Sequence, residues 1–207
     1  MDDPELTTHT TCDESRPVLV WRLDTPRLTA SSAPVGGGLR RSSWILNAQV
    51  PLEYRRHDLD VHAGQLATEL GCTGNGVAML TAASIDVPQC HEDGGVSCWA
   101  TVGISKPTWA ADSDGAVSPW MPGTINVVVD LPVLLSDAAL LNAIVTATEA
   151  KSQALFERGV PGTGTASDAV CIVCPTDGRS EAFAGPRSPW GSRLARAVHT
   201  AVAKGLR

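Results

Sequence analysis

Short apolar runs alternate along this chain with longer stretches of helical periodicity. Runs rich in Val, Ile, Leu and Trp predict six strands, at residues 18–23, 44–50, 77–81, 97–104, 125–129 and 169–173. Apolar residues three and four apart predict three helices, at 58–70, 137–158 and 189–204. Ser136 is the expected N-cap of the middle helix, and Gly159 its expected stop. Strands interleaved with helices predict one layered domain of the α/β or α+β class, with a mixed β-sheet and helices packed over it.

Two parts of the chain repeat a similar order of elements. The segments WILNAQVP and TINVVVDLP are each an apolar strand containing an Asn, and each is followed by Asp, a helix and a Gly-containing turn. A strand–helix–strand duplication predicts Asn47 and Asn126 at equivalent strand starts, and the glycines of 74–76 and 162–164 at equivalent helix-to-strand turns. Chance similarity in a Gly- and Ala-rich sequence is the alternative.

The N-terminal segment differs in composition from the rest. Residues 1–16 are acidic and Thr-rich and lack an apolar core, which predicts a disordered acidic tail rather than a signal peptide, with the domain at 17–207. No apolar stretch approaches the ~20 residues that a membrane helix requires. Without an export signal, a cytoplasmic location and reduced cysteines are expected.

Composition and charge narrow the class of function. With 207 residues, 43% of them hydrophobic, the chain is long enough for one sizeable core. A net charge of -6 argues against a nucleic-acid partner, because phosphate binding needs a clustered basic surface. The sequence does not indicate an oligomeric state.

Two patterns resemble metal sites but have simpler interpretations. Cys171 and Cys174 form a C-x-x-C within a strand pattern, where residues three apart point to opposite faces, so both are predicted to be core cysteines. His57, Asp58 and His62 have metal-like spacing, yet they lie at a predicted helix start, where capping explains them. No metal site is therefore predicted.

The middle helix carries the first candidate chemistry, although no familiar hydrolytic motif occurs in the chain. Asn142, Thr146, Glu149 and Gln153 share one polar sector, whereas Lys151 lies among apolar residues on the opposite side. Three interpretations of Lys151 stay open: its stem reaches water, it pairs with an acidic residue of the following turn, or it is a functional cation whose pKa is lowered by desolvation. For the polar sector, the alternative is an ordinary solvent face.

The second candidate is Gly162-Thr163-Gly164-Thr165, which is followed by Asp168. Closely spaced glycines let the backbone approach a ligand, and freed N–H groups there can bind an anion such as the oxyanion of amide hydrolysis. A tight structural turn is the alternative interpretation.

Several segments together resemble the adenosylcobinamide amidohydrolase family. The similarity spans residues 28–207, with the motifs in the family's order. Besides Asn47 in its strand, the matching segments are GVAMLTAA (76–83), TVGISKP (101–107), GTIN (123–126), TEAK (148–151), PGTGTASDAV (161–170) and GPRSPWGSRLARAVH (185–199).

The resemblance implies an enzyme that hydrolyses the amide between aminopropanol and a propionate arm of the corrin ring. The products would be adenosylcobyric acid and 1-amino-2-propanol, for cobalamin salvage. The partner implied is this small-molecule corrinoid, whose cobalt belongs to the substrate, and no cofactor of the protein's own is expected. A corrinoid-binding protein or carrier without hydrolysis is the alternative. The loop 106–123, with Trp109 and Trp120, is predicted to cover the corrin.

The roles of individual residues are our own predictions. Water attacks the amide, with Glu149 or Asp168 as general base and Lys151 supporting charge. Thr163 and Thr165 donate to the oxyanion, and a threonine nucleophile at either position is the alternative. The remaining predicted substrate contacts are Asn47, Asn126, Gly162 and Gly164.

Overall fold

The computed structural model describes residues 1–11, 13–112 and 123–206. It confirms the predicted mixed α/β class, with all six predicted strands and all three predicted helices in place. In chain order the elements are β1 (Glu5–Thr11), β2 (Glu14–Ser31), β3 (Gly38–Gln49), α1 (Leu59–Glu69), β4 (Gly76–Thr81), β5 (Gln89–Asp93), β6 (Val96–Gly103), β7 (Thr124–Asp130), α2 (Asp137–Glu157), β8 (Ala169–Cys174) and α3 (Pro189–Gly205).

The strands form one mixed sheet in the order β4-β3-β2-β8-β7-β6-β5, with β1 paired to β2. The β3–β4 and β7–β8 pairs are parallel and the others antiparallel. Strand β2 joins the two halves: it pairs with β3 along most of its length, with a register shift between Arg22 and Arg27, and with β8 only from Leu28 to Ser31. Such an irregularity bends a strand, and the two halves of the sheet face each other.

Three apolar clusters define the layers. Between the sheet halves, Trp21 of β2 meets Trp99 of β6 edge-to-face, with ring centroids 6.1 Å apart, among residues of β3, β4, β7 and β8. On the outside of one half, α1 buries Ala63 and Leu66 against β2, β3 and β4. On the outside of the other half, α2 and α3 pack against β6, β7 and β8. The layers therefore follow one another in the order α1, one sheet half, the other sheet half, and finally α2 with α3.

Two strand–helix–strand units are present, β3-α1-β4 and β7-α2-β8. The predicted equivalence of the two asparagines is wrong, however. Asn47 is the third residue from the end of β3, whereas Asn126 is the third residue of β7. Gly74, Gly162 and Gly164 do lie between helix and strand in their units, and Gly76 is the first residue of β4.

The predicted disordered tail at 1–16 is wrong in this structure. Residues Glu5–Thr11 form β1, which pairs antiparallel with β2. Its composition is misleading because the buried positions of the strand are polar: His9 and Thr11 are both buried, and they bond to each other and to the Gln49 carbonyl and the His62 ring. Farther upstream, Asp3 accepts a hydrogen bond of 2.7 Å from the Trp99 indole.

Strand β5 was not predicted, although its turn carries a signal. Gly94 and Gly95 join β5 to β6 with φ angles of 55° and 90°, and a two-residue Gly-Gly loop with positive φ is typical of a hairpin. The core prediction for the C-x-x-C is confirmed: Cys171 lies between the sheet halves and Cys174 on the helix side. In the described part of the chain, no helix is long and apolar enough to cross a bilayer.

Candidate active site

The space between the sheet halves becomes polar at one end. Because side chains alternate along a strand, Val128, Asn126 and Thr124 of β7 all face this space, in order from the apolar interior to the edge. Thr101 of β6 stands opposite Asn126 in the ladder. Asn47 reaches both from β3, because its amide donates to the Thr101 hydroxyl at 2.9 Å and its carbonyl oxygen accepts from Asn126 at 2.8 Å.

This buried network brings together Asn47 and Asn126, two of the predicted substrate contacts. Asn126 is 2% exposed, and its Oδ1 atom has no hydrogen-bond partner among the described residues. A buried amide oxygen without a partner is costly, so the position suits a bound donor such as water or a substrate N–H. The network therefore marks this end of the inter-sheet space as a candidate binding region.

A pocket of about 250 Å³ opens at the same end. Thr124 and Ser167 line it, and their hydroxyl oxygens lie 2.9 Å apart. Its other walls are mostly apolar and come from the β2–β3 loop, from the ends of β3 and β4, and from the segment that leads into α1. These residues are Pro34, Val50, Pro51, Tyr54, Arg56, Leu59, Leu80, Thr81 and Ala82. An apolar pocket with a few polar groups on one side is typical of a small-molecule site.

Lys151 and Asp168 form an ion pair beside this pocket. Lys151 projects from the buried side of α2, and Asp168 immediately precedes β8 and follows the pocket residue Ser167. Their side chains are only 7% and 10% exposed. Of the three interpretations of Lys151, the structure supports pairing with an acidic residue of the following turn.

The Asp168 carboxylate is fully engaged. Besides Lys151, it accepts from the backbone N–H of Ile125 at 2.9 Å, from that of Thr165 at 3.1 Å, and from the Thr165 hydroxyl. A carboxylate offers about four acceptor positions, so four donors occupy its capacity. This arrangement suits a residue that fixes the turn and β7, and it leaves little room for Asp168 to accept a proton as general base.

The glycine turn is held by its own neighbours. The N–H of Gly162 bonds to Val160 and that of Thr163 to Thr108, and a side chain at Gly164 would collide with Asp168 and Lys151. The Thr163 hydroxyl accepts from the Ala110 N–H at 3.0 Å. These contacts favour the tight structural turn over the predicted anion-binding nest.

Thr165 is engaged in the same way. Its hydroxyl oxygen contacts both Asp168 and the Gly123 carbonyl, the latter at 2.7 Å. The turn also binds the first part of the loop 106–123, which is predicted to cover the corrin, because the Thr108 N–H donates to the Gly164 carbonyl. In that loop Trp109 is 50% exposed, whereas Trp120 lies outside the described residues.

Glu149 is not brought to this site. Residues two apart on a helix point in nearly opposite directions, and Glu149 is exposed while Lys151 is buried. The polar sector predicted on α2 is only partly a solvent face: Thr146 is buried and donates to the Ala184 carbonyl, whereas Gln153 is exposed and bonds to Glu157.

Asp58, just before α1, and His62, within it, have partners other than a metal. Asp58 pairs with Arg56, whose hydrogen bonds lower the pKa of that carboxyl to about 2, and its side chain makes no cap bond. His62 bonds to Tyr54 and Thr11. Among the described residues, no three His, Cys, Asp or Glu side chains are grouped to hold a metal ion.

Sequence reasoning missed the two pocket hydroxyls of Thr124 and Ser167. Both belong to segments that carry the family resemblance, GTIN and PGTGTASDAV, so the signal was present. Neighbouring residues of the same segments were chosen instead, because periodicity does not tell which hydroxyl faces a cavity. Tyr54 was missed as well, and the sequence around it carries no comparable signal.

Comparison with known proteins shows the family of this chain. The sequence pattern of the adenosylcobinamide amidohydrolase family matches residues 3–207, which include every residue described above. The chain belongs to this family. It is therefore a member of a family of hydrolases, and the resemblance stated from its motifs is confirmed.

Two curated proteins named adenosylcobinamide amidohydrolase are similar to this family member. The protein from Methanosarcina mazei is 30% identical over 187 residues, which cover 86% of this chain and 89% of that protein. The protein from Halobacterium salinarum is 34% identical over 134 residues, which cover 62% of this chain and 57% of that protein.

One solved structure shares the architecture. A crystal structure of a protein from Pyrococcus horikoshii superposes with a TM-score of 0.52 at 10% sequence identity, covering 98% of this chain and 83% of the other. At this level of identity the likeness concerns the fold alone.

Proposed function

We propose that the chain hydrolyses the amide that joins aminopropanol to a propionate arm of adenosylcobinamide. Water adds to the amide carbon, the C–N bond breaks, and the products are adenosylcobyric acid and 1-amino-2-propanol. The acid would then serve in cobalamin salvage. The observation that carries the proposal is the family match over residues 3–207, together with two relatives that bear this enzyme's name.

The pocket supports this substrate by its size and lining. A space of about 250 Å³ suits a small arm of the corrinoid, whereas the ring itself must stay at the mouth. The apolar walls at Val50 and Leu80 suit the methyl and methylene groups of aminopropanol, and the hydroxyls of Thr124 and Ser167 suit its amide.

We assign the electrostatic part of the reaction to these two hydroxyls. Donors placed where negative charge develops stabilise the tetrahedral intermediate of amide hydrolysis, and losing one such donor commonly costs on the order of 100-fold in rate. Thr124 and Ser167 already lie within hydrogen-bond distance of each other on the pocket wall. Thr163 and Thr165 do not line the pocket, whereas Thr124 and Ser167 do, so we transfer the predicted donor role to Thr124 and Ser167. The Ser167 hydroxyl, 3.3 Å from the Gly123 carbonyl, would turn from that carbonyl to the substrate.

Lys151 and Asp168 are then supporting residues. Asp168 bonds to Ile125, which follows Thr124 in sequence, and to Thr165, two residues before Ser167, and Lys151 neutralises its buried charge. An uncompensated carboxylate here would be strongly disfavoured. The pair thus keeps both hydroxyls at the pocket wall.

One assay tests the proposed function. The purified chain is incubated with adenosylcobinamide, and free 1-amino-2-propanol and the corrinoid products are measured by mass spectrometry. Equimolar release of aminopropanol and adenosylcobyric acid is expected. Tight binding with recovery of intact adenosylcobinamide would instead indicate a corrinoid carrier.

A further inference from the structure

A chain of buried hydrogen bonds runs from strand β1 to the pocket. His9 Nε2 lies 2.8 Å from the Gln49 carbonyl, and His9 Nδ1 lies 3.0 Å from the Thr11 hydroxyl. The same hydroxyl lies 3.2 Å from His62 Nε2, and His62 Nδ1 lies 2.6 Å from the phenol oxygen of Tyr54. His9 and His62 are 1% and 3% exposed, and Tyr54 lines the pocket.

The Gln49 carbonyl determines which atom is the donor in each of these linked hydrogen bonds. A carbonyl only accepts, so His9 Nε2 carries the hydrogen, and in a neutral ring Nδ1 must accept from Thr11. The Thr11 oxygen then accepts from His62 Nε2–H, which leaves His62 Nδ1 to accept the hydrogen of Tyr54. Burial lowers the pKa of both histidines, which favours the neutral rings that this direction requires.

We propose that Tyr54 contacts the substrate arm in the pocket, and that His62, held by β1, is the positioning residue for Tyr54. The inference rests on the proposed function, since it takes this pocket as the place of the amide. A phenol that donates its hydrogen can still accept with its oxygen. The groups it suits are therefore N–H and O–H donors, and the aminopropanol arm carries one of each.

The ring geometry supports a fixed Tyr54. Its ring stacks on that of His62, with centroids 5.4 Å apart and planes inclined by 30°. Tyr54 lies in the segment between β3 and α1, whereas His62 is anchored in α1 and bonded to β1. Strand β1, which the composition predicted to be disordered, thus becomes part of the support of the site.

Two substitutions at His62 separate the two bonds of its ring. In His62→Asn the amide oxygen takes the place of Nδ1 and keeps an acceptor for Tyr54. In His62→Gln the amide takes the place of Nε2 and keeps the bond to Thr11, but the acceptor for Tyr54 is lost. Tyr54→Phe removes the phenol itself.

A positioning role of His62 for Tyr54 predicts a specific pattern of kcat/KM values among these variants. Loss of one hydrogen bond to the substrate lowers kcat/KM by about 10-fold in Tyr54→Phe, and His62→Gln shows a similar loss, mostly in KM. His62→Asn falls between the wild type and His62→Gln, because it keeps the acceptor for Tyr54 but loses the bond to Thr11, and His62→Gln adds nothing in the Tyr54→Phe background. Unchanged kcat/KM in Tyr54→Phe, or independent losses that multiply in the double variant, would overturn the inference.

Failure of the proposed function gives a different result. A wild-type chain that releases no aminopropanol refutes hydrolysis, and the same variants are then compared by absorbance titration with adenosylcobinamide. An affinity about 10-fold weaker in Tyr54→Phe and His62→Gln, with a smaller loss in His62→Asn, supports the Tyr54 contact. Equal affinities for all four proteins overturn it.

Discussion

The ammonium of Lys151 donates to the carboxylate of Asp168, and this bond links α2 to the start of β8. Both side chains are almost fully buried. Asp168 directly follows Ser167 in sequence. It also accepts from the backbone N–H of Ile125, the residue after Thr124. A buried pair at this point connects the stability of the helix layer with the geometry of the pocket.

Replacing Lys151 tests the energetic side of this pair. Removing one partner of a buried pair leaves an uncompensated charge, and Lys151→Met should lower the free energy of unfolding by about 3–5 kcal/mol. The matched control is Lys204→Met, because Lys204 is exposed and, within the described part of the chain, donates to the Cys90 carbonyl; its effect should be about 0–1 kcal/mol. Urea denaturation of both variants measures the difference. Equal losses of unfolding free energy in the two variants would indicate that Lys151 behaves as a surface lysine.

A second pair of variants tests which carboxylate the reaction needs. Glu149→Gln should keep near-normal turnover, because Glu149 is exposed on the side of α2 opposite Lys151. Asp168→Asn should lose turnover, because a neutral amide cannot pair with Lys151 and accept from Ile125 and Thr165 at once. Aminopropanol release measures both. A folded Glu149→Gln variant without activity would restore Glu149 as general base.

Lys151 and Asp168 show which features of the site could be predicted from the sequence. Lys151 could be singled out because a charged residue broke an apolar helix face, and an acid in the following turn was among its predicted partners. Which residues support the site and which line the pocket could not be predicted in the same way. It depends on which donors surround Asp168 and which hydroxyls face the cavity, and those follow from how the two sheet halves meet.

The cysteines differ in reactivity by position. Burial raises the pKa of the Cys171 thiol to about 12 and also raises that of Cys98, so neither supplies a thiolate near neutral pH. Cys90 is exposed on β5. Iodoacetamide should therefore label Cys90 in the native protein but reach Cys98 and Cys171 only after denaturation. Peptide mass spectrometry checks this, and rapid native labelling of Cys171 would contradict its place between the sheet halves.

The two buried histidines predict a pH dependence of stability. Burial lowers the pKa of His9 and His62 below the ordinary value of 6.5, so below that pH the unfolded chain takes up protons that the folded chain does not. Stability is retained above pH 6.5 and falls as the pH drops towards the lowered pKa values. Urea midpoints should thus be lower at about pH 5.5 than at about pH 7.5. His9→Gln, which keeps a donor for Gln49, should flatten this slope, and an unchanged slope would contradict the assignment.

The same histidines explain why β1 could not be predicted. The side chains on its buried face are polar and its one leucine, Leu6, is exposed, so no apolar period marks the strand. The burial of His9 and Thr11 depends on partners in α1 and at the end of β3, which are distant in sequence. The apolar strands β3, β6, β7 and β8 needed no such partners, and their runs of Val, Ile and Ala were sufficient.

The most direct test of the account compares aminopropanol release by the wild type with that by the double variant Thr124→Val/Ser167→Ala. Both substitutions remove a hydroxyl from the pocket wall with little change in volume. We predict that the wild type converts adenosylcobinamide to equimolar aminopropanol and adenosylcobyric acid. The double variant should melt as the wild type does and turn over at least about 100-fold more slowly. A folded double variant with wild-type turnover would contradict the placement of the reaction in this pocket.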